Sequence, residues 1–217
     1  KTVLIDDYNQ IPQILMDLNQ IAKCKNIFIS GAAHEYGEAW KETAHMLISN
    51  LAKNLYKNNY RIVTGHARGI GSYIVSSIIE ECQYNTSELE KHLIIKAFPY
   101  EDKERKDYNR LIREYREGIF EYSGIAIFMF GNKISDNGTV LANGVYAEYE
   151  IAKQAGAYII PVGSTGYVAK KIWDEVCINI NEYPYLKKYA ATLQNSTDPD
   201  IIVHTILSIL NDIETGY

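Results

Sequence analysis

The sequence predicts an α/β fold: a Rossmann-like, doubly wound and mostly parallel sheet. Three features of the 217-residue chain carry that expectation. Short apolar runs alternate with segments of helical periodicity. The runs are continuously apolar, without the in–out alternation of a half-solvated sheet, so both sheet faces are covered. Run after run then exits into glycine, in IFISGAAHEYG (27–37), RIVTGHARGIG (61–71), IAIFMFGNK (125–133) and YIIPVGSTG (158–166). Right-handed crossovers place all four exits along one sheet edge, where ligands of such folds bind.

The elements follow in order. Residues 10–23 put Ile11, Ile14, Leu15, Leu18 and Ile21 on one helical face, giving a lead-in helix; residues 1–24 read as that helix and its linker, and 25–217 as one ligand-binding domain. Strands are expected at 26–30, 60–64, 92–98 (closed by Pro99), 124–130 and 157–161. Helices are expected at 39–58, 70–82, from the charge-dense 100–110 stretch to about Tyr122, and at 144–155, 165–177 and 199–214. Gly156 suits a helix C-cap. Residues 132–143 read as a polar excursion and 181–198 as irregular and tyrosine-rich.

Composition narrows the function classes. A net charge of −5 gives no bulk reason to expect nucleic-acid binding. No apolar run approaches the ~20 residues of a membrane span, and no signal peptide is evident. Cys24, Cys82 and Cys177 are few and lack metal-type spacing, as buried thiols in a reducing cytosol would be. His34, His45, His66, His92 and His204 show no metal spacing either. No G-x-S-x-G motif is present. The chain opens on Lys1 rather than Met, as a piece of a longer protein would.

The candidate site is the glycine rim. Gly31, Gly65, Gly131 and Gly163 each follow a strand, and Ala32, His34 and His66 lie in the same loops. GHARGIG carries Gly65, Arg68, Gly69 and Gly71 into a helix start, where N–H groups free of a Cβ favour a phosphate; its spacing matches neither the Walker nor the dinucleotide fingerprint, and glycine turns alone would look the same. Arg116 lies eight residues before the fourth strand, roughly 12 Å back toward the rim at ~1.5 Å per residue. Asn132 and Lys133 lie just past that strand. Arg116 and Lys133 together can neutralise a pyrophosphate, and residue type alone fits a solvated helix charge as well. Gly144 opens the next helix, with Asn143 just before it, and Glu148 sits one turn in. Its carboxylate suits a ribose hydroxyl or an adenine amine, and equally the positive helix end. Glu150 points about 200° away round the helix.

FISGAA, GHARGIGS, YREGIFEYSGIAIFMFGNK and NGVYAEYEIA…YIIPVGSTGY together resemble the SLOG superfamily, and within it the sensor domain of Thoeris anti-phage NADase effectors, over about Lys25 to Trp173. The resemblance implies a domain that binds a cyclic ADP-ribose isomer and uses no other cofactor or metal. It implies a sirtuin-like NADase domain elsewhere in the full-length protein, no catalysis by this chain, a bacterial cytoplasmic location and a homodimer or higher homo-oligomer. It carries ligand-contacting roles to Arg116, Lys133 and Glu148, and to the Ser30–Gly31 pair. The runner-up is a lonely-guy-like nucleoside monophosphate phosphoribohydrolase. GVYAE resembles its G-T-x-x-E, but Val145 replaces threonine, FGN stands where Pro-Gly-Gly belongs, and the 132–143 excursion splits the motif.

Overall fold

The computed structural model describes residues 7–65, 68–96, 98 and 106–216. Five parallel strands form the sheet: β1 (Asn26–Ser30), β2 (Arg61–Thr64), β3 (Leu93–Ile95), β4 (Ile125–Phe128) and, last in sequence, β7 (Tyr158–Pro161), in the order β3-β2-β1-β4-β7. β4 and the heart of β1 and β7 are buried on both sides. The chain moves outward from β1 to β3 and then returns past β1 to β4. Right-handed crossovers therefore place α2 (Ala44–Lys57) and α3 (Gly71–Glu81) on one face, and α5 (Tyr108–Phe120) and α6 (Asn143–Gln154) on the other. The reversal leaves a crevice at the carboxyl ends of β1 and β4. α7 (Tyr167–Ile178) packs beside α6, and α9 (Pro199–Thr215) closes against α2, burying Ile202, Ile206, Ile209 and Leu210. Among the described residues no helix is long and apolar enough to cross a membrane.

The expected architecture stands, with local differences. Residues 132–143 hold a hairpin, β5 (Asn132–Ser135) with β6 (Gly138–Leu141), a two-stranded sheet of its own. A further helix, α4 (Thr86–His92), takes in His92 and precedes β3, which runs for three residues and ends at Ile95; Asn85 caps α4 by accepting from the N–H groups of Ser87 and Glu88. The 39–58 helix begins as a separate turn at Glu38–Trp40. The tyrosine-rich segment contains a 3₁₀ stretch (Pro184–Tyr189) and α8 (Ala190–Asn195). The lead-in helix α1 (Ile11–Lys23) buries none of its residues, and Leu15, Leu18 and Ile21 are exposed. Pro99 and residues 100–105 of the charged stretch lie outside the described residues.

The strand exits are locked together. Gly131 and Asn132 donate their N–H groups to the Ala32 carbonyl at 2.9 and 2.8 Å, and the Ala33 N–H donates to the Arg68 carbonyl at 3.1 Å. Gly69 has φ +80°, and a Cβ there would stand 2.0 Å from the Ala33 oxygen. Gly69→Ala therefore combines left-handed strain with a backbone collision. It should lower the unfolding free energy by about 2 kcal/mol or more. A lowered urea midpoint at unchanged slope is the expected reading.

Candidate functional site

A cavity of about 580 Å³ opens at the crevice. From the exit of β1 it is lined by Ser30, Gly31, Ala32 and His34, and from the exit of β2 by Gly65 and Arg68. Arg116 enters from α5, Asn132 and Lys133 from the hairpin, and Gly144 and Glu148 from α6. The structure thus gathers eleven of the expected residues from five stretches of chain into one wall.

Four others do not line it. Gly69 lies under the Ala33 backbone, and Gly71 is buried as the first residue of α3. Gly131 is sealed against Val168, whose Cβ would be 2.5 Å from an added Cβ. Asn143 is exposed at the start of α6. Gly163, also read as part of the rim, is closed off by Trp173. His66 lies outside the described residues. The glycines here serve close packing more than ligand approach.

Sequence reading missed an aromatic wall of Phe98, Tyr108 and Tyr115, and Ile134 at the mouth. Tyr108 and Tyr115 are two helical turns apart and share a face with Arg116, so the helical period held the signal. The Tyr115 hydroxyl donates to the Lys96 carbonyl at 2.9 Å.

The polar groups fall into two kinds. Asn132 is fully buried and committed: its Oδ1 accepts from the N–H groups of His34 and Glu35 at 2.9 and 3.1 Å, and its Nδ2 donates to the Glu35 carbonyl at 2.9 Å. It builds the rim. Several loop N–H groups expected to meet a phosphate are likewise spent within the protein. The start of α6 carries no side-chain cap and can still meet an anion.

The charged groups are uncommitted. Arg68, Arg116 and Lys133 face the cavity, and none has an acidic partner within 4 Å among the described residues. The Nε of Arg116 is buried and has no hydrogen-bond partner among the described residues. The single lining carboxylate among the described residues, Glu148, accepts from the Ser30 hydroxyl at 2.5 Å. Burial lifts the Glu148 carboxyl above its ordinary range, against the opposing pull of Ser30 and of the Arg116 charge. Glu150 is exposed. The arrangement can hold a polyanion through its cations and offer one acceptor to a hydroxyl or amine.

The profile of the Sir2- and TIR-associating SLOG family matches residues 10–213. The chain is 31% identical over 217 residues to the NAD(+) hydrolase ThsA of Bacillus cereus (strain MSX-D12), covering 97% of this chain and 45% of that protein. It is 31% identical over 227 residues to the NAD(+) hydrolase ThsA of Acinetobacter baumannii (strain 532279), covering 98% and 46%. Against the protein of that name from Cytobacillus dafuensis it is 33% identical over 186 residues, covering 84% and 38%. The chain thus spans about half the length or less of these curated relatives.

The buried carboxyl makes stability depend on pH. Because its folded pKa lies above the unfolded one, the native state binds more protons between the two values, and stability falls as pH rises through the folded pKa. Glu148→Gln removes that cost and can still accept from Ser30. Without ligand it should melt above wild type at pH 7–8, by about 2–4 °C for each 1 kcal/mol relieved. The gap should close toward pH 4, where both side chains are neutral; melting curves across that range read it.

Proposed function

The chain belongs to the Sir2- and TIR-associating SLOG family, and from that premise we propose that it is the ligand-sensing domain of a Thoeris-type NAD hydrolase, binding a cyclic ADP-ribose isomer in the crevice. One observation supports this reading above the rest. In a chain of net charge −5, the described residues bring three cations to a cavity where their one carboxylate, Glu148, is already engaged by Ser30. Such an imbalance favours an anion, and the cavity falls within the ~300–1,000 Å³ of small-molecule sites.

The roles follow from position. Arg116 grips a pyrophosphate with its planar fork, and its buried Nε, which has no acceptor among the described residues, gains one. Lys133, exposed on β5, adds a point charge at the mouth. The uncapped start of α6, with Gly144, directs its N–H dipoles at the same anion. Glu148, presented between Ser30 and Arg116, accepts from a ribose hydroxyl or an adenine amine. NAD hydrolysis belongs to the portion of the relatives that this chain does not match. That portion is a sirtuin-like domain of the same full-length protein, which assembles as a homo-oligomer in the bacterial cytoplasm. Ligand binding here shifts that assembly toward activity.

Calorimetric titration against a panel of cyclic and linear ADP-ribose isomers tests the reading. Arg116→Ala should lose the charge-assisted fork, about tenfold to several-hundredfold in affinity, and Arg116→Lys should bind worse than wild type. Lys133→Ala should weaken binding as well. At sub-saturating ligand the melting shift of Arg116→Ala should collapse. A retained full shift rejects the site.

Incubation with NAD or nucleoside monophosphates should release no free base. Release abolished by Glu148→Gln would establish a phosphoribohydrolase instead.

A further inference from the structure

Arg116 must keep its charge available and its fork aimed, and no carboxylate within 4 Å among the described residues holds it. A carboxylate partner would orient the guanidinium but would also cancel the charge an anion needs. The structure supplies two other restraints. The Arg116 Cζ lies 5.9 Å from the centroid of the Phe98 ring, inside the ~6 Å reach of a cation–π contact. On α6, a Cβ at Gly144 would come within 3.2 Å of the Arg116 Nη2. Phe98 is itself fixed. It meets Tyr115 edge-on, with centroids 5.3 Å apart and planes at 86°, and Tyr115 is tied to the Lys96 carbonyl.

We infer that Phe98 and Gly144 are positioning residues for Arg116. The ring holds the guanidinium by its π-face without neutralising it. The missing side chain at 144 leaves the guanidinium its place beside the opening of α6. An unrestrained arginine loses rotamer freedom when it binds; here that freedom is already lost in folding, so affinity rises without a new ligand contact. The benefit to affinity rests on the proposed function, whereas the restraint itself is a property of the free protein.

Phe98→Leu, Phe98→Trp and Gly144→Ala, each with and without Arg116→Ala, test the inference through two readouts. The first needs no ligand. ¹⁵N relaxation of the Arg116 Nε–H should report a rigid side chain in wild type and in Phe98→Trp. Phe98→Leu should free it, and Gly144→Ala should shift its resonance. Arg113, 72% exposed on the same helix and joined to Glu117 only by a surface ion pair, is the solvent-facing reference. An Arg116 as mobile as Arg113 in wild type, or unaltered in Phe98→Leu, overturns the proposal.

The second readout is the dissociation constant for whichever cyclic ADP-ribose isomer gives wild type its largest melting shift. Phe98→Leu should cost about twofold to thirtyfold, the span of a cation–π contact from exposed to desolvated sites. Phe98→Trp should restore binding. Gly144→Ala should weaken binding while its ligand-free melting point holds or rises, since alanine favours a helix. In the Arg116→Ala background the Phe98→Leu effect should vanish. An equal loss there would mean that Phe98 touches the ligand itself and would overturn positioning. If no isomer binds wild type, the sensing role falls and the relaxation data alone decide the restraint.

Discussion

A fully buried carboxamide holds the rim together. Asn132 bonds three times to the backbone of the loop that follows β1, while its own N–H and that of Gly131 meet the Ala32 carbonyl. Buried polar groups are costly unless satisfied, so these two strand exits have one low-energy arrangement. Behind them Phe130 takes φ +57°, an unusual conformation for a bulky residue. Its N–H donates to the Thr165 hydroxyl, which itself donates to the Val162 carbonyl, and its ring packs between Tyr36 and Trp40. Three strand exits thus support one another, and the cavity is the space left in front of them.

That rigidity explains how a chain of net negative charge maintains a positive crevice. Uncompensated cations repel, and flexible ones would turn toward solvent or toward the nearest acid. Here Glu148, the acid that the described residues place in the cavity, is taken up by Ser30, and its own burial resists ionisation. Arg116 emerges from a helix whose outward face already pairs its charges with each other, Arg113 with Glu117 and Arg110 with Asp107 and Glu114. Among the described residues the same helix shows both uses of arginine: paired where it meets water, without an acidic partner where it meets the cavity.

Much of this was legible in the sequence, for identifiable reasons. Strands buried on both faces read as unbroken apolar runs, and their exits as glycine, so the sheet and its binding edge were predictable. Arg116, Lys133 and Glu148 were placed by helix rise and strand ends, and they do converge. The hairpin was hidden because its strands are short and polar, although Asp136-Asn137-Gly138 is a turn signature and Gly138 does take φ +98°. Helix α4 was hidden by its seven-residue length, though Asn85 and Glu88 form a cap signal. The function of individual glycines was not legible at all. Whether a glycine faces a ligand or, like Gly131 and Gly163, a neighbouring side chain depends on what the tertiary fold brings opposite it.

The hairpin between β4 and α6 pairs with no strand of the main sheet, yet it delivers Lys133 and Ile134 to the cavity mouth. Its base is pinned by the Ala142 N–H to the Gly131 carbonyl, and its tip is solvent-exposed. Sheet and cavity floor are therefore insulated from whatever happens beyond that base. Descendants of this chain can lengthen, shorten or recolour the hairpin without renegotiating the core. The mouth becomes a separable module through which ligand preference can drift between lineages while the scaffold beneath stays the same.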